Sequence, residues 1–373
     1  MKIVADHHIP FLTEYFGAGG ELVLKPGRAI NREDVRDADI LLVRSVTKVD
    51  EKLLSGSRVK FVGSVTAGAD HLDVAWLNAA GIAWSVANGF NAPPVADYVV
   101  SVIAALQRKH VLAKAGMRAA VIGVGNVGRL VAERLALLNM EVIFCDPLRK
   151  ETEPDFHSTP LEDIAEVDLI SLHVPLTHTG DHPTRHFIDK SFLQRQKHNA
   201  VLLNASRGAV IDAQALMLHG THLHWCFDVW EHEPNIDKNV LNRALIATPH
   251  IAGYSVQSKI RGIEMIYQAA CAHKIIEPTS KLPLEMPTQA LSFSGAHHHW
   301  QDIVLGVFNP LILTAMMRAE LLPETADSHL FDEMRNKFNY RHEFRYTNIV
   351  GAEIEEQDQM LLTQLGLSNG NVH

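Results

Sequence analysis

Three short segments of the sequence combine the residue types that acid–base chemistry on a small carboxylic acid requires. NASRGAVID (204–212) contains Arg207, DVWEHEP (228–234) contains three carboxylates, and TPHIAGYS (248–255) contains His250. A guanidinium can hold a carboxylate through two parallel hydrogen bonds, and a histidine can take up a proton near neutral pH. A carboxylate beside that histidine would orient it and favour its charged form. These groups predict oxidation of a hydroxyl next to a carboxylate, or the reverse reduction.

A hydride acceptor for such a reaction is predicted by the segment RAAVIGVGNVG at residues 118–128. Gly123, Gly125 and Gly128 follow a strand pattern and open a helical pattern, and Asp146 ends the next strand, 18 residues after Gly128. This arrangement is the fingerprint of dinucleotide binding, in which the pyrophosphate sits at the start of the helix. Asp146 would accept hydrogen bonds from the ribose hydroxyls. Its charge would repel a 2′-phosphate, which predicts NAD rather than NADP as the cofactor.

Apolar, β-branched runs alternate with helical patterns along most of the chain. Strands are predicted at residues 2–5, 39–43, 60–63, 82–86, 118–122, 141–145, 168–172, 200–203 and 224–227, and long helices at 94–109 and 255–274. This alternation favours parallel sheets built from βαβ units, and there are too many strands for one ordinary open sheet. Arg207, the carboxylates of 228–234 and His250 each follow the end of a strand, where open α/β sheets bind their ligands.

The expected fold class is α/β, with two doubly wound parallel-sheet (Rossmann-like) domains and a smaller C-terminal α+β dimerisation domain. A chain of 373 residues is too long for one hydrophobic core. The first domain would be discontinuous and substrate-binding, residues 1–93 with 256–285, around an NAD-binding domain of residues 94–255. Three prolines within residues 278–287 indicate a linker. Residues 286–373 carry no chemical motif, and their apolar stretches favour burial against a second copy, so a homodimer is expected.

Composition argues against several classes of function. The net charge is −9 and the basic residues are scattered, so nucleic-acid binding is not expected. No apolar stretch approaches the length of a membrane span, and the N-terminal MKIVADHHIPF lacks the features of a signal peptide, so a cytoplasmic protein is expected. The runs His7–His8 and His297–His299 lack acid or cysteine partners at ligand spacing, so no metal site is expected.

The order of the motifs identifies a family resemblance. GVGNVG, Asp146, HVPLT, NASRG, DVWEHEP and PHIAGYS resemble the motif series of the D-2-hydroxyacid dehydrogenases, over about the first three quarters of the chain. The resemblance implies NAD-dependent hydride transfer at carbon 2 of a small phosphorylated hydroxy acid. It implies Arg207 as the substrate-binding arginine, Glu233 as the acid that supports the base, and His250 as the proton donor or acceptor. The family's acid lies five residues after the aspartate at the strand end, which selects Glu233 over Glu231.

The same resemblance assigns binding residues. Substrate contacts are implied for Ser45, Thr66 and Tyr254. Cofactor contacts, including the three glycines above, are expected for Gly123, Gly125, Asn126, Val127, Gly128, Asp146, Val174, Ser206, Arg207, Asp228 and Gly253. The substrate's phosphate needs basic partners, for which Arg44 and Lys48 are the nearest candidates, although Lys48 fits a solvated surface side chain equally well. Arg341 and Arg345 could contribute across a dimer.

Two alternatives stay open at this point. Another dehydrogenase of the same family, such as one for D-3-phosphoglycerate, would share the chemistry and differ only in its substrate pocket. A non-catalytic NAD-sensing binding protein on the same scaffold would have no need of the set Arg207, Glu233 and His250. Turnover of any 2-hydroxy acid would exclude that second alternative.

Overall fold

The contacts within the chain define two compact units. The computed structural model describes residues 1–279, 283–295, 297–338 and 340–369. One unit comprises Met1–Asn91 with Ser255–Pro287, and the other comprises Ala92–Tyr254 with Thr288–His373. The C-terminal segment, which we expected to form a domain of its own, therefore belongs to the second unit in its contacts. The predicted linker includes residues 280–282, which lie outside the described residues.

The first unit contains a five-stranded parallel sheet. Its strands are β1 (Lys2–Asp6), β2 (Glu21–Lys25), β3 (Ile40–Val43), β4 (Phe61–Ser64) and β5 (Ala83–Val86), in the order β2-β1-β3-β4-β5. Its helices are α1 (Leu12–Phe16), α2 (Arg32–Val35), α3 (Glu51–Leu54), α4 (Val74–Ala79) and α11 (Val256–Ala272). Helices α1 and α11 share one apolar cluster with the sheet, and α2, α3 and α4 share another.

Burial explains which strands of this sheet the sequence revealed. Strands β3 and β4 are buried at every position, so β3 appears as a continuous apolar run and β4 as a short apolar pair followed by small residues. Strand β2 was not predicted, because ELVLK is an edge strand with a charged residue at each end and partial exposure throughout. Helix α11 begins where a capping box forms, in which the side chains of Ser255 and Ser258 bond each other's backbone N–H groups.

The second unit contains a six-stranded parallel sheet. Its strands are β6 (Arg118–Ile122), β7 (Glu141–Cys145), β8 (Leu169–Leu172), β9 (Val201–Asn204), β10 (His224–Phe227) and β11 (Ile246–Ala247), in the order β11-β10-β9-β8-β6-β7. The helices between them are α5 (Ala92–Arg108), α6 (Asn126–Leu137), α7 (Pro147–Thr152), α8 (Lys190–Arg195), α9 (Ala213–His219) and α10 (Lys238–Arg243). The chain reverses its direction of winding between β6 and β8, and such a switch point is where doubly wound sheets bind ligands.

The C-terminal segment adds four helices and a small parallel sheet to this unit. These elements are β12 (Gln289–Ser292), α12 (Trp300–Val307), α13 (Pro310–Leu321), α14 (His329–Lys337), β13 (Thr347–Val350), α15 (Glu356–Leu365) and β14 (Ser368–Asn369), with the sheet order β12-β13-β14. Trp300, Ile303 and Val304 join the apolar cluster that contains α5 and α6, and Phe331 joins the cluster on the opposite face of the six-stranded sheet. The two parallel sheets and the small third sheet confirm the expected α/β fold class, and the dimerisation role expected for the C-terminal part stays a prediction.

No single described helix is long and apolar enough to cross a membrane. Helices α12 and α13 together have the length and the apolar composition of a membrane span, but the pair is bent by 47° at its junction.

Replacing Phe331 with alanine tests whether the C-terminal segment shares the core of the second unit. Phe331 is fully buried, so its loss should lower the free energy of unfolding by about 3–5 kcal/mol. Leu218→Ala is the control, because Leu218 on α9 is 65% exposed and lies outside the C-terminal segment. Urea unfolding followed by tryptophan fluorescence measures both variants. Equal stability losses in the two would contradict a shared core.

Candidate active site

The glycine-rich loop between β6 and α6 leaves room for a ligand at one of its three glycines. Gly123 has φ +85°, and a Cβ there would lie 2.6 Å from the carbonyl oxygen of His173. A Cβ on Gly128 would lie 1.9 Å from the carbonyl oxygen of Gly123, so both positions are dictated by packing within the protein. A Cβ on Gly125, by contrast, would meet nothing within 4 Å. The open space at Gly125, the N-cap of α6, fits a pyrophosphate bound to backbone N–H groups.

A cavity of about 810 Å³ lies beside this loop. Its lining includes five of the residues that we expected to contact the cofactor: Gly123, Gly125, Asn126, Asp146 and Val174. The cavity thus adjoins the carboxyl ends of β6, β7 and β8, at the switch point of the sheet. Two further candidates, Val127 and Gly128, lie in the first turn of α6, where Gly128 packs against the carbonyl of Gly123. These residues would hold the adenosine and pyrophosphate parts of a dinucleotide.

Asp146 connects the loop to the next helix. Its carboxylate accepts hydrogen bonds from the backbone N–H of Val124 at 2.8 Å and of Arg149 at 3.0 Å. Each carboxylate oxygen keeps a second lone pair, so the group can still accept from a ribose hydroxyl. The neighbouring guanidinium of Arg149 pairs with Glu153 at 2.9 Å and lies 4.2 Å from the centre of the Phe156 ring.

His250 and Glu233 form a close pair. Nδ1 of His250 lies 2.7 Å from one carboxylate oxygen of Glu233, and the other oxygen accepts a hydrogen bond from the backbone N–H of Trp230 at 2.8 Å. Burial alone would raise the pKa of Glu233, but the charge and hydrogen bond of His250 and the charge of Arg335 outweigh burial and lower it. With Nδ1 as the donor to this carboxylate, Nε2 of His250 is the nitrogen that can accept a proton.

Glu231, the rival candidate for this role, is engaged elsewhere. One of its carboxylate oxygens lies 2.7 Å from Nε2 of His186. Glu231 is thus held by the segment that follows β8, whereas Glu233 is held by His250. Of the two acids, Glu233, the one that the family's spacing indicates, is the one that contacts His250.

A buried carboxylate supports the loop that carries His250. Asp228, at the end of β10, is 1% exposed and accepts hydrogen bonds from the backbone N–H groups of Ile251 at 2.8 Å and Ala252 at 2.9 Å. It also accepts from the hydroxyl of Thr248 at 2.6 Å, which in turn lies 2.9 Å from the hydroxyl of Tyr98. Desolvation raises the pKa of Asp228, although the charge of His250 and these hydrogen bonds act against it. We expected Asp228 to contact the cofactor, but its carboxylate here bonds the protein's own main chain.

The loop that carries Arg207 is fixed by its own polar groups. The side-chain oxygen of Asn204 accepts hydrogen bonds from the N–H and hydroxyl of Ser206, and its amide donates to the carbonyl of Arg207. The guanidinium of Arg207 donates to the carbonyl of Ser206 at 2.8 Å. A Cβ on Gly208 would lie 2.0 Å from the carbonyl carbon of Trp230, so only glycine lets this loop pass against the segment that holds Glu233.

Residues that sequence reasoning missed surround Tyr254, which follows Gly253 in the same loop as His250. The hydroxyl of Tyr254 accepts a hydrogen bond from Arg335 at 3.3 Å. Its ring centre lies 5.7 Å from that of Tyr340 and 6.4 Å from that of Phe338. These neighbours all come from the C-terminal segment, which has no motif that would have marked them.

The two arginines that we considered as contributors across a dimer have different surroundings. The guanidinium of Arg341 is buried and donates to the carbonyls of Pro94, Ile251 and Ala252. These bonds commit Arg341 to the main chain of its own subunit, which corrects our expectation for it. Arg345 is exposed, with its guanidinium 5.0 Å from the ring centre of Tyr346.

The substrate candidates of the first unit follow two adjacent strands, β3 and β4. The guanidinium of Arg44 donates to the fully buried carboxylate of Asp6 at 2.8 Å. Ser45 is exposed, and the hydroxyl of Thr66 bonds the carbonyl of Gly68 at 2.8 Å. Lys48 is 81% exposed and pairs with Asp50, which favours its interpretation as a solvated side chain.

One group of potential metal ligands occurs among the described residues. Asp6, His7 and His8 bring their ligand atoms within 4.8 Å of one another. Arg44 already places a positive charge on the Asp6 carboxylate, and a metal ion would have to compete with it. Our expectation therefore stays that this protein uses no metal.

Comparison with known proteins places this geometry in a family. The profile described as "D-isomer specific 2-hydroxyacid dehydrogenase, NAD binding domain" matches residues 101–252. The chain is 45% identical over 347 residues to an erythronate-4-phosphate dehydrogenase of Coxiella burnetii (strain RSA 331 / Henzerling II), which covers 92% of this chain and 93% of that protein. It is 42% identical over 369 residues to an erythronate-4-phosphate dehydrogenase of Pseudomonas aeruginosa PAO1, covering 96% of this chain and 97% of that one.

Solved structures show the same fold at lower identity. A 3-phosphoglycerate dehydrogenase of Entamoeba histolytica with bound NAD⁺ aligns with a TM-score of 0.62 and 24% identity, over 74% of this chain and 95% of that one. A D-lactate dehydrogenase of Aquifex aeolicus with NAD and lactic acid aligns with a TM-score of 0.59 and 22% identity, over 74% of this chain and 96% of that one. The cofactor site, the matched profile and the relatives agree on an NAD-dependent oxidoreductase. The chain belongs to the D-isomer specific 2-hydroxyacid dehydrogenase family and, within it, to the group of the erythronate-4-phosphate dehydrogenases.

Proposed function

We propose that this enzyme oxidises 4-phospho-D-erythronate at carbon 2. The products are 2-oxo-3-hydroxy-4-phosphobutanoate, NADH and a proton, in the biosynthesis of pyridoxal 5′-phosphate. The single observation that carries the proposal is the pair of His250 and Glu233, whose side chains lie 2.7 Å apart beyond the end of the sheet that holds the glycine-rich loop. The choice of substrate is supported by the names of relatives that match nearly the whole chain. We include a cytoplasmic location in the proposal, because the reaction needs a supply of NAD and of a phosphorylated metabolite.

Each residue of the pair has a distinct task in this reaction. Nε2 of His250 takes the proton of the 2-hydroxyl, and the carboxylate of Glu233 stabilises the imidazolium that results. Arg207 holds the substrate carboxylate and polarises the oxygen at carbon 2. When bound, NAD supplies the acceptor for the hydride that leaves carbon 2. In the reverse direction His250 returns the proton.

The roles of the remaining candidates follow from their chemistry. We assign Arg44 to the substrate's phosphate, because its guanidinium is held in place by Asp6 and is partly exposed. Ser45, Thr66 and Tyr254 supply hydroxyl groups for the rest of the substrate. Asp228 acts through the His250 loop, whose backbone N–H groups it binds, and Ser206 acts through the Arg207 loop. Gly253 offers backbone to the NAD, and Val174 offers apolar surface and backbone.

Turnover with a panel of acids tests the proposed function. The panel contains 4-phospho-D-erythronate, D-erythronate, D-3-phosphoglycerate and D-lactate, with NADH absorbance as the readout and 2-oxo acids supplied as electron acceptors in parallel. We expect the highest kcat/KM for 4-phospho-D-erythronate. His250→Ala should lower its turnover by roughly 10²- to 10⁴-fold, the usual contribution of a positioned acid–base group, with little change in NAD affinity. Preference for D-3-phosphoglycerate would replace the proposed substrate with the alternative.

The pH dependence of kcat/KM distinguishes the two glutamates. Removal of a carboxylate next to His250 disfavours the imidazolium, so the acidic limb for Glu233→Gln should move to lower pH by roughly one unit. Glu231→Gln is the control and should leave the limb in place, because its carboxylate bonds His186. A shift in the control alone would reassign the supporting acid to Glu231.

Asp146 determines the choice between NAD and NADP in this proposal. Asp146→Ala removes the charge that repels a 2′-phosphate and an acceptor for the ribose hydroxyls. We expect the ratio of kcat/KM for NAD over NADP to fall by about tenfold or more, the equivalent of one such hydrogen bond to a charged group. Asp146→Asn, which can still accept one of the two backbone bonds, separates the effect of charge from loosening of the loop. An unchanged ratio in both variants would remove Asp146 from the ribose site.

We also propose that the enzyme is a homodimer formed through its C-terminal segment. Ile312 and Met316 lie one helical turn apart on α13 and are 61% and 49% exposed, and Met360 on α15 is 60% exposed. Large apolar side chains that share one face favour burial against a second copy. Ile312→Glu combined with Met316→Lys should convert a dimer to a monomer in light scattering. Leu218→Lys, an exposed apolar position on α9, is the control, and a dimer that survives the double change would contradict the proposed surface.

A further inference from the structure

We propose that Arg335 of the C-terminal segment is a positioning residue for the active site of its own chain, holding Tyr254 and placing a positive charge near Glu233. The inference rests on the proposed function and deepens it. The segment around Arg335 carries no family motif, so nothing in the sequence connects it with catalysis. Its neighbours in the structure do.

Arg335 is held inside the protein rather than at its surface. Its side chain lies on α14 and is only 14% exposed. One guanidinium nitrogen donates to the hydroxyl of Tyr254 at 3.3 Å, and another lies 3.7 Å from the carboxylate of Asp332. Its Nε is buried and has no hydrogen-bond partner among the described residues. A cation that is kept out of water with incomplete hydrogen bonding lowers the stability of the fold. Its presence here therefore indicates a role other than stabilisation.

The charges around Arg335 show what that purpose is. Tyr254, Glu233 and Asp332 are the groups that act on it, and against the effect of burial they raise its pKa, so the guanidinium is charged. The charges of His250 and Arg335 both act to lower the pKa of Glu233, and the charge of His250 acts in the same direction on the pKa of Asp228. The positive charge of Arg335 therefore favours the ionised carboxylate of Glu233. His250 lies 2.7 Å from Glu233 and so also lies near this charge, and because like charges repel we expect Arg335→Met to change the pH dependence of the reaction.

Arg335 also affects the site through its contact with Tyr254. Its ring packs against Phe338 and Tyr340, and its hydroxyl is held by Arg335. Tyr254 follows His250 by four residues in one loop, so a fixed phenol would also fix the side of the site where we place a substrate contact. The C-terminal segment thus supplies three neighbours of one candidate substrate residue.

The decisive experiment measures kcat, KM and the pH profile of kcat/KM for Arg335→Met with 4-phospho-D-erythronate and NAD. We expect KM to rise by about tenfold, and the acidic limb to move to higher pH by roughly half a unit, opposite in direction to Glu233→Gln. Arg335→Lys should keep the limb near its wild-type position and restore KM only in part, because lysine has the charge but not the planar fork. Lys337→Met is the matched control on the same helix, where Lys337 is 76% exposed and pairs with Glu333. It should behave as wild type.

A double-mutant cycle with Tyr254→Phe tests the link to the phenol. If Arg335 acts through Tyr254, the double variant should have nearly the same KM as Arg335→Met alone. The inference would be overturned if the increases in KM caused by Arg335→Met and by Tyr254→Phe multiplied in the double variant. A wild-type KM and pH profile in Arg335→Met would also overturn it. Should Arg335→Met fail to fold, a wild-type KM in Arg335→Lys would overturn it as well. A wild-type enzyme that does not oxidise 4-phospho-D-erythronate defeats the proposed function instead, so the two failures are distinct.

Discussion

The arrangement of the active site depends on one buried carboxylate. Asp228 ends β10, and its two oxygens accept the backbone N–H groups of Ile251 and Ala252 beyond β11. Its own backbone carbonyl accepts the N–H of His250 at 2.7 Å, so one residue binds three consecutive N–H groups of the loop. Such a group would be costly to bury without partners, and here each partner belongs to the segment that has to be placed. The result is a loop in which His250 takes a left-handed conformation, with φ 56°.

The other parts of the site are arranged around that anchor. Trp230, two residues after Asp228, donates its backbone N–H to Glu233 and its indole N–H to the carbonyl of Thr248. The turn that presents Glu233 is therefore bonded to the same loop that presents His250. Gly208 lets the Arg207 loop approach the backbone of Trp230. The chain of hydroxyls from Tyr98 through Thr248 to Asp228 connects the long helix α5 to the anchor. The positions of the three catalytic loops are therefore set by the sheet and by α5, to which these contacts connect them.

The sequence revealed those parts of the site that are encoded locally. The glycine-rich loop, Asp146 and the three catalytic segments each combine a strand end with a motif, and short-range spacing is enough to recognise them. The choice of Glu233 over Glu231 came from the family's spacing, since both acids lie in one turn and only their distant partners differ. Thr248, Tyr98 and Gly208 act through contacts across the fold, which a single sequence does not contain. Arg341 looked available to a substrate because its charge is visible in the sequence, whereas the three carbonyls that bind it are not. Edge strand β2 was missed for a related reason, because its partial exposure leaves no continuous apolar run.

The turnover number of Asp228→Asn at saturating NAD and substrate tests this account most directly. Asparagine fills the same space but cannot accept from both backbone N–H groups, so the His250 loop should lose its position while the sheet stays intact. We predict a loss of about tenfold or more in kcat, in protein whose NAD affinity is unchanged within about threefold. A wild-type kcat together with weakened NAD binding would contradict the account, because Asp228 would then contact the cofactor and would not anchor the catalytic loop.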